Sequence, residues 1–210
     1  MICRRTLLAL FVAFMSLVLV TTASANSVTL KYKGIYHEKF YFSIDGSSTY
    51  TPLMCDSFDN NIHVGETWTA TVSPFLAGIA HSMFGTSMKL DYKAAGLIYK
   101  SMLSGTLTIT QAQWAVWGLF STNAQNTYQF AYVGGAAIDA SYLAMASSAP
   151  NSAYSGLLLY TPLGAKPGSG PQEFIGYNPG ATVPEPGTLA LLGTGMVGLA
   201  GAIRRKMAKV

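Results

Sequence analysis

The chain has 210 residues, half of them hydrophobic and only 10% charged, with a formal net charge of +4. Abundant aromatic residues and sparse charge exclude a disordered chain, and the length suits one domain plus targeting segments. The positive charge sits at the two ends, at Arg4, Arg5, Arg204, Arg205, Lys206 and Lys209, whereas between Asn26 and Glu185 seven lysines face nine acids. That middle is slightly acidic and lacks the clustered cations that phosphate binding needs, which excludes nucleic acid as a partner.

Residues 1–25 have the layout of a secretory signal peptide. Arg4 and Arg5 precede an apolar run from Leu7 to Val20, and Ala23-Ser24-Ala25 supplies the small residues at the cleavage point. Cleavage by signal peptidase would leave Asn26 as the first residue of the exported chain. Cys3 leaves with this segment, so Cys55 becomes the only cysteine in an oxidising compartment, where a leftover thiol points to intermolecular pairing, reactivity or another covalent use.

Strands dominate the first half of the exported domain, residues 26–177. Val28–Tyr32 alternates apolar and polar residues, Lys39–Ile44 ends at the turn signal Asp45-Gly46, and Thr51–Phe58 and Thr67–Val72 are two further strands. The period then changes. Leu90, Ala94, Leu97, Ile98 and Met102 define one face of a helix that stops at Gly105. Thr110 is expected to cap a helix over Gln111–Phe120, and a third helix is expected over Ala136–Ala146. Gly156–Tyr160 and Gln172–Tyr177 read as returning strands. The expected architecture is therefore α+β: a small β-sheet or barrel with an inserted helical subdomain.

The tail has three parts in a fixed order. Residues 178–186 form a Pro/Gly linker ending in Val183-Pro184-Glu185-Pro186, whose prolines forbid a helix. Residues 187–203 are apolar and read as a transmembrane helix, and residues 204–210 are a basic cytoplasmic tail containing Arg204, Arg205 and Lys206. A rise of about 1.5 Å per residue makes this helix slightly short of a bilayer core of about 30 Å, a gap that snorkelling arginines close. These features resemble the PEP-CTERM sorting segment of Gram-negative bacteria, which also circulates under an "ice-binding protein C-terminal" label. The resemblance implies a membrane-embedded exosortase-type protease as partner, transient anchoring in the inner membrane, and delivery to the cell surface or extracellular matrix. Thr194, Gly198 and Ala202 also place small residues at four-residue spacing, a pattern that lets membrane helices pair.

Cys55 lies in Leu53-Met54-Cys55-Asp56-Ser57-Phe58, and Gln113-Trp114-Ala115-Val116-Trp117 follows at an expected helix start. The pair of motifs resembles the thioester domains of bacterial surface adhesins. The resemblance implies that the Cys55 sulfur and the Gln113 side-chain carbonyl join with loss of ammonia, and that the bond then acylates an amine or hydroxyl on a surface or polysaccharide ligand. A thiolate is the nucleophile such chemistry needs. Two plainer readings stand beside it. Thr110-Gln111-Ala112-Gln113 fits a capping box in which Gln113 reaches back to Thr110, and Cys55 fits a small buried hydrophobe.

Other constellations are poorer. His37, His63 and His81 lack metal-ligand spacing, and no cofactor or metal is expected. A Cys55/His63 or Cys55/His81 dyad would make a cysteine-dependent hydrolase, although no motif around Cys55 matches one. Asp56-Ser57-Phe58-Asp59-Asn60-Asn61 offers oxygens to calcium but lacks the glycine and terminal glutamate of an EF-hand loop, and reads better as an Asx-rich turn. The expected protein is an exported surface or matrix protein and not an enzyme, with self-catalysed thioester formation as its one reaction. A non-covalent matrix module is the alternative binding function.

Overall fold

The alternation in the first half and at the C-terminal end builds a closed barrel. A computed structural model describes residues 26–36 and 39–178. The expected signal peptide, the linker from residue 179, the transmembrane helix, the basic tail and His37 lie outside the described residues. The strands are β1 (Asn26–Tyr36), β2 (Lys39–Ile44), β3 (Tyr50–Cys55), β4 (Thr67–Pro74), β5 (Leu157–Pro162) and β6 (Phe174–Tyr177). They close in the order β1-β2-β3-β6-β5-β4, with β4 pairing back onto β1 and every pairing antiparallel. Gly34, at φ 120°, takes up the register shift between Tyr32 and Gly34 that bulges β1.

All of the described helices lie between β4 and β5. They are α1 (Phe75–Gly78), α2 (Lys89–Leu103), α3 (Ile109–Phe120), α4 (Thr122–Gln125), α5 (Tyr128–Tyr132) and α6 (Gly135–Ser148). Among the described residues no helix is long and apolar enough to cross a membrane.

Because side chains alternate across a strand, one set of residues fills the barrel and the other receives the helices. Leu30, Tyr32, Phe40, Phe42, Leu53, Cys55 and Phe174 form the inner core. Met54, Leu157, Leu159 and Ile175 face outward into a second core with Phe75, Tyr92, Ile98 and Val116. β3 therefore serves both cores at its end, with Met54 turned to the helices and Cys55 to the barrel.

Three expectations need correction. The third strand stops at Cys55 and not at Phe58, because Asp56 and Ser57 turn into a loop that bonds to the segment before β6. The buried face of α2 is Tyr92, Ala94, Ala95, Ile98 and Tyr99, while Leu90 is 43% exposed. Small residues and tyrosines take the interior there, since closely packed helices leave little space between their backbones. Finally, α3 begins two residues earlier than expected. Its cap is Thr108, whose hydroxyl accepts from the Gln111 N–H (3.2 Å) while the Gln111 side chain accepts from the Thr108 N–H (3.0 Å). The sequence holds two overlapping T-x-x-Q patterns, and the first of them forms the capping box. Gln113 is thereby one turn inside the helix, and its side chain has a different partner.

Candidate functional site

That partner is Cys55. β2 begins at Lys39, and its register with β3 runs from Ser43 opposite Tyr50 to Phe40 opposite Leu53, so Cys55 lies beyond the last pair. On the other side of β3, Asp56 N–H donates to the Glu173 carbonyl at 3.2 Å. Backbone groups alternate in direction along an antiparallel strand, which turns the N–H and C=O of Cys55 toward the β2 side. Gln113 from α3 occupies that place. Its Nε2 donates to the Cys55 carbonyl at 2.6 Å, and its Oε1 accepts from the Cys55 N–H at 3.3 Å. The amide acts as a one-residue continuation of the sheet, which satisfies backbone groups whose isolation would be costly.

The thiol is sealed. Cys55 has no exposed surface and Gln113 is 7% exposed. An aromatic lid covers this end of the barrel: the Phe58 and Trp117 rings lie 5.2 Å apart, Trp114 and Trp117 5.0 Å, and Trp117 meets Phe40 edge-on at 6.4 Å. Burial, and next the Asp56 carboxyl, push the Cys55 thiol up to about 12, although the Trp117 indole and the backbone and hydroxyl of Ser57 pull the other way. Cys55 is consequently a neutral thiol at ordinary pH. On the far side of the Gln113 amide, a cleft of about 30 Å³ opens between the β2–β3 edge and α2–α3, lined by Lys39, Pro52, Met102, Leu103 and Ile109 among others. It has room for about one water.

Sequence reasoning missed the acid cluster beside the thiol. Asp56 and Glu173 are both 0% exposed. Three donors hold the Glu173 carboxylate, the Tyr92 and Thr161 hydroxyls and the Met83 N–H at 3.0 Å, and the Glu173 backbone N–H donates to the Ser57 hydroxyl at 2.8 Å. Neither oxygen of Asp56 has a hydrogen-bond donor among the described residues. Burial, and next the neighbouring Glu173, raise Asp56 well above the usual carboxylate range; burial raises Glu173 as well, against the pull of its donors. A Cys-Asp step at a strand end, with a second acid opening a returning strand, was the only available signal.

The remaining candidates fall elsewhere. Asn60 ties down the loop before β6: its Nδ2 donates to the carbonyls of Lys166, Ser169 and Gly170 at 2.9–3.0 Å, and its Oδ1 accepts from the Gly168 N–H at 2.9 Å. Asp59 Oδ1 accepts from Asn123 at 2.7 Å. The Asp56–Asn61 stretch thus serves turn and loop closure, and among the described residues no group of three or more His, Cys, Asp or Glu is placed to hold a metal. His63 and His81 are exposed, whereas the Cys55 sulfur is buried.

The described domain is thus a β-barrel with a helical insertion, carrying a sealed thiol against a docked amide. Its destination is given by the tail: residues 182–206 match the family model of the PEP-CTERM protein-sorting motif. The chain carries that sorting signal, with Val183, Pro184, Glu185, Pro186, Arg204, Arg205 and Lys206 inside the match, and the signal marks an extracellular protein sorted by an exosortase after transient association with the membrane. No curated protein and no solved structure matches the chain significantly.

Proposed function

We propose that the exported domain is a surface-attachment module whose Cys55 and Gln113 join in an internal thioester. The observation that carries this reading is the docking of the Gln113 amide on the Cys55 backbone. It holds the acyl carbon beside the residue that bears the nucleophile, and such positioning supplies much of the barrier reduction in an intramolecular reaction. The Cys55 N–H is aimed at Gln113 Oε1, the oxygen that gains negative charge as sulfur adds to the carbonyl. The Cys55 S–H and the Gln113 carboxamide give the S–C(=O) bond plus one ammonia. The sealed barrel side keeps water from the product, and the narrow cleft at Gln113 is the approach left to an incoming nucleophile on a surface or matrix polymer.

Intact mass of the mature exported protein tests the reading. The expected result is a deficit of one ammonia, absent from Cys55→Ala and Gln113→Ala and replaced by a gain when methylamine opens the bond. An unmodified mass together with a thiol that titrates in the unfolded protein would overturn it.

A further inference from the structure

We propose that Lys39 is an acceptor built into the cleft: when no outside nucleophile arrives, its amine takes the acyl group from sulfur, leaving a Lys39–Gln113 isopeptide bond and a free Cys55 thiol. The inference rests on the thioester reading, and it limits how long the reactive bond lasts.

Strand register places the amine. β2 and β3 pair Phe40 with Leu53, so the preceding residue of β2, Lys39, comes opposite Met54. Facing residues of an antiparallel pair share one side of the sheet, and Met54 is turned to the helices. Lys39 therefore starts β2 on the helix side, while the Gln113 amide stands beside Cys55, one residue further along the same line. One strand step is about 3.3 Å, well within the sweep of a flexible four-carbon stem. The cleft brings the same residues together: Lys39, Met54 and Gln113 all line its volume of about 30 Å³, and Lys39 is the one amine among its lining residues.

Sulfur and amine approach the acyl carbon from opposite sides. Bonded to the Cys55 N–H and C=O as a neighbouring strand would be, the Gln113 carboxamide turns one face to the barrel and the other to the helices. The Cys55 side chain belongs to the barrel core, whereas the cleft with Lys39 opens on the helix side.

Lys39 reacts as the neutral amine. Its Nζ adds to the thioester carbonyl and the C–S bond breaks. One of the two Nζ protons passes to sulfur, the other stays on the new amide, and no co-reactant is needed. The mass is unchanged by this step, because the ammonia has already left. A tethered amine acts at an effective concentration that a free one does not match, so Lys39 outlasts a slow external partner and loses only to one that is already at the cleft.

The full exported domain with its thioester is stored without added amine. Intact mass, the fraction that gains mass with methylamine, and the Cys55 thiol titrated after unfolding are followed together. The expected course is a constant deficit of one ammonia, a falling methylamine-reactive fraction and an equal rise in thiol, with proteolysis and mass spectrometry finding the Lys39 peptide joined to the Gln113 peptide. Lys39→Arg keeps the charge but not the nucleophile, and is expected to form the deficit, to yield no joined peptide and to lose methylamine reactivity about 10-fold or more slowly than wild type. A wild type that forms the deficit but keeps its methylamine reactivity, or loses it only with the gain of one water, overturns the transfer and leaves the thioester standing. A Lys39→Arg protein, folded by near-ultraviolet circular dichroism, that loses reactivity at the wild-type rate does the same. A joined peptide in Cys55→Ala means direct condensation of lysine with the amide and overturns the transfer from sulfur. A wild type that never shows the deficit overturns the thioester and the transfer together.

Discussion

The two cores of this domain are filled differently. Inside the barrel, large rings interlock: Phe42 and Phe174 have centroids 4.6 Å apart, Tyr32 and Phe42 5.4 Å, and Phe42 and Trp68 5.9 Å. Between barrel and helices the fully buried positions include Ala94, Ala95, Ala112, Ala115 and Ala146, and glycines lie where helices touch. The first core is packed by rings throughout, whereas the second mixes large side chains such as Phe75, Tyr92 and Ile98 with alanines and glycines that let backbones approach closely. Cys55 belongs to the first and Gln113 comes from the second, so their meeting depends on how firmly the two are held together.

The largest expected effect follows from emptying the barrel. Phe42 is 0% exposed and touches Tyr32, Trp68 and Phe174. Phe42→Ala removes the shared neighbour of three rings, and a cost of about 3–5 kcal/mol is expected from lost burial plus the cavity left behind. Urea unfolding measures it. A loss of less than about 1 kcal/mol would mean that the rings collapse inward, and that the barrel core is not set by volume.

These two modes of packing also explain what the sequence disclosed. Strand alternation exposed the barrel, and Lys39–Ile44 matches β2 residue for residue, because large apolar residues filling an interior leave a period of two. The helical face of α2 was read in part: Ala94 and Ile98 are fully buried and Leu97 and Met102 pack at its edge, whereas Leu90 is exposed and Tyr92, Ala95 and Gly96 also make the contact. Closeness of backbones leaves little hydrophobic signature. The candidate site was half visible: Cys55 and Gln113 stood out by type and context, but the role of Gln113 depended on which of two T-x-x-Q patterns caps α3, and that choice is made by packing. Glu173 was invisible, since an acid before a strand usually faces water and only the fold reveals it at the back of Asp56.

Overfilling the contact among α3, α5 and α6 tests the close-approach side of the comparison. A Cβ placed on Gly118 of α3 would lie 2.2 Å from Phe130 Cε2 and 2.7 Å from Asp139 Oδ2, well inside contact distance. Because Phe130 is itself buried against α6 and has little room to turn, Gly118→Ala is expected to cost about 1–3 kcal/mol by displacing α5 or α6. The same methyl favours the helix intrinsically by roughly 1 kcal/mol, so a stabilised variant in thermal or urea unfolding would show that Phe130 moves aside freely and that the contact is not tight.

The smallest effect concerns where α3 begins. Thr108 and Gln111 satisfy each other's backbone N–H groups, and Thr108→Ala removes the hydroxyl half of that exchange at a cost of about 1 kcal/mol. Gln113 lies beyond the capped turn and bonds to Cys55, so the variant is expected to fray the first residues of α3 while keeping the ammonia deficit. Gln113→Ala should do the reverse, preserving the cap but abolishing the deficit and leaving the Cys55 N–H and C=O without their partner. Hydrogen exchange separates the two: faster exchange at Ile109–Gln111 in Thr108→Ala, and at Cys55 in Gln113→Ala. If Thr108→Ala loosens Cys55 as much as it loosens Gln111, the helix start and the site are one cooperative unit, and the seam between the two cores is weaker than its hydrogen bonds imply.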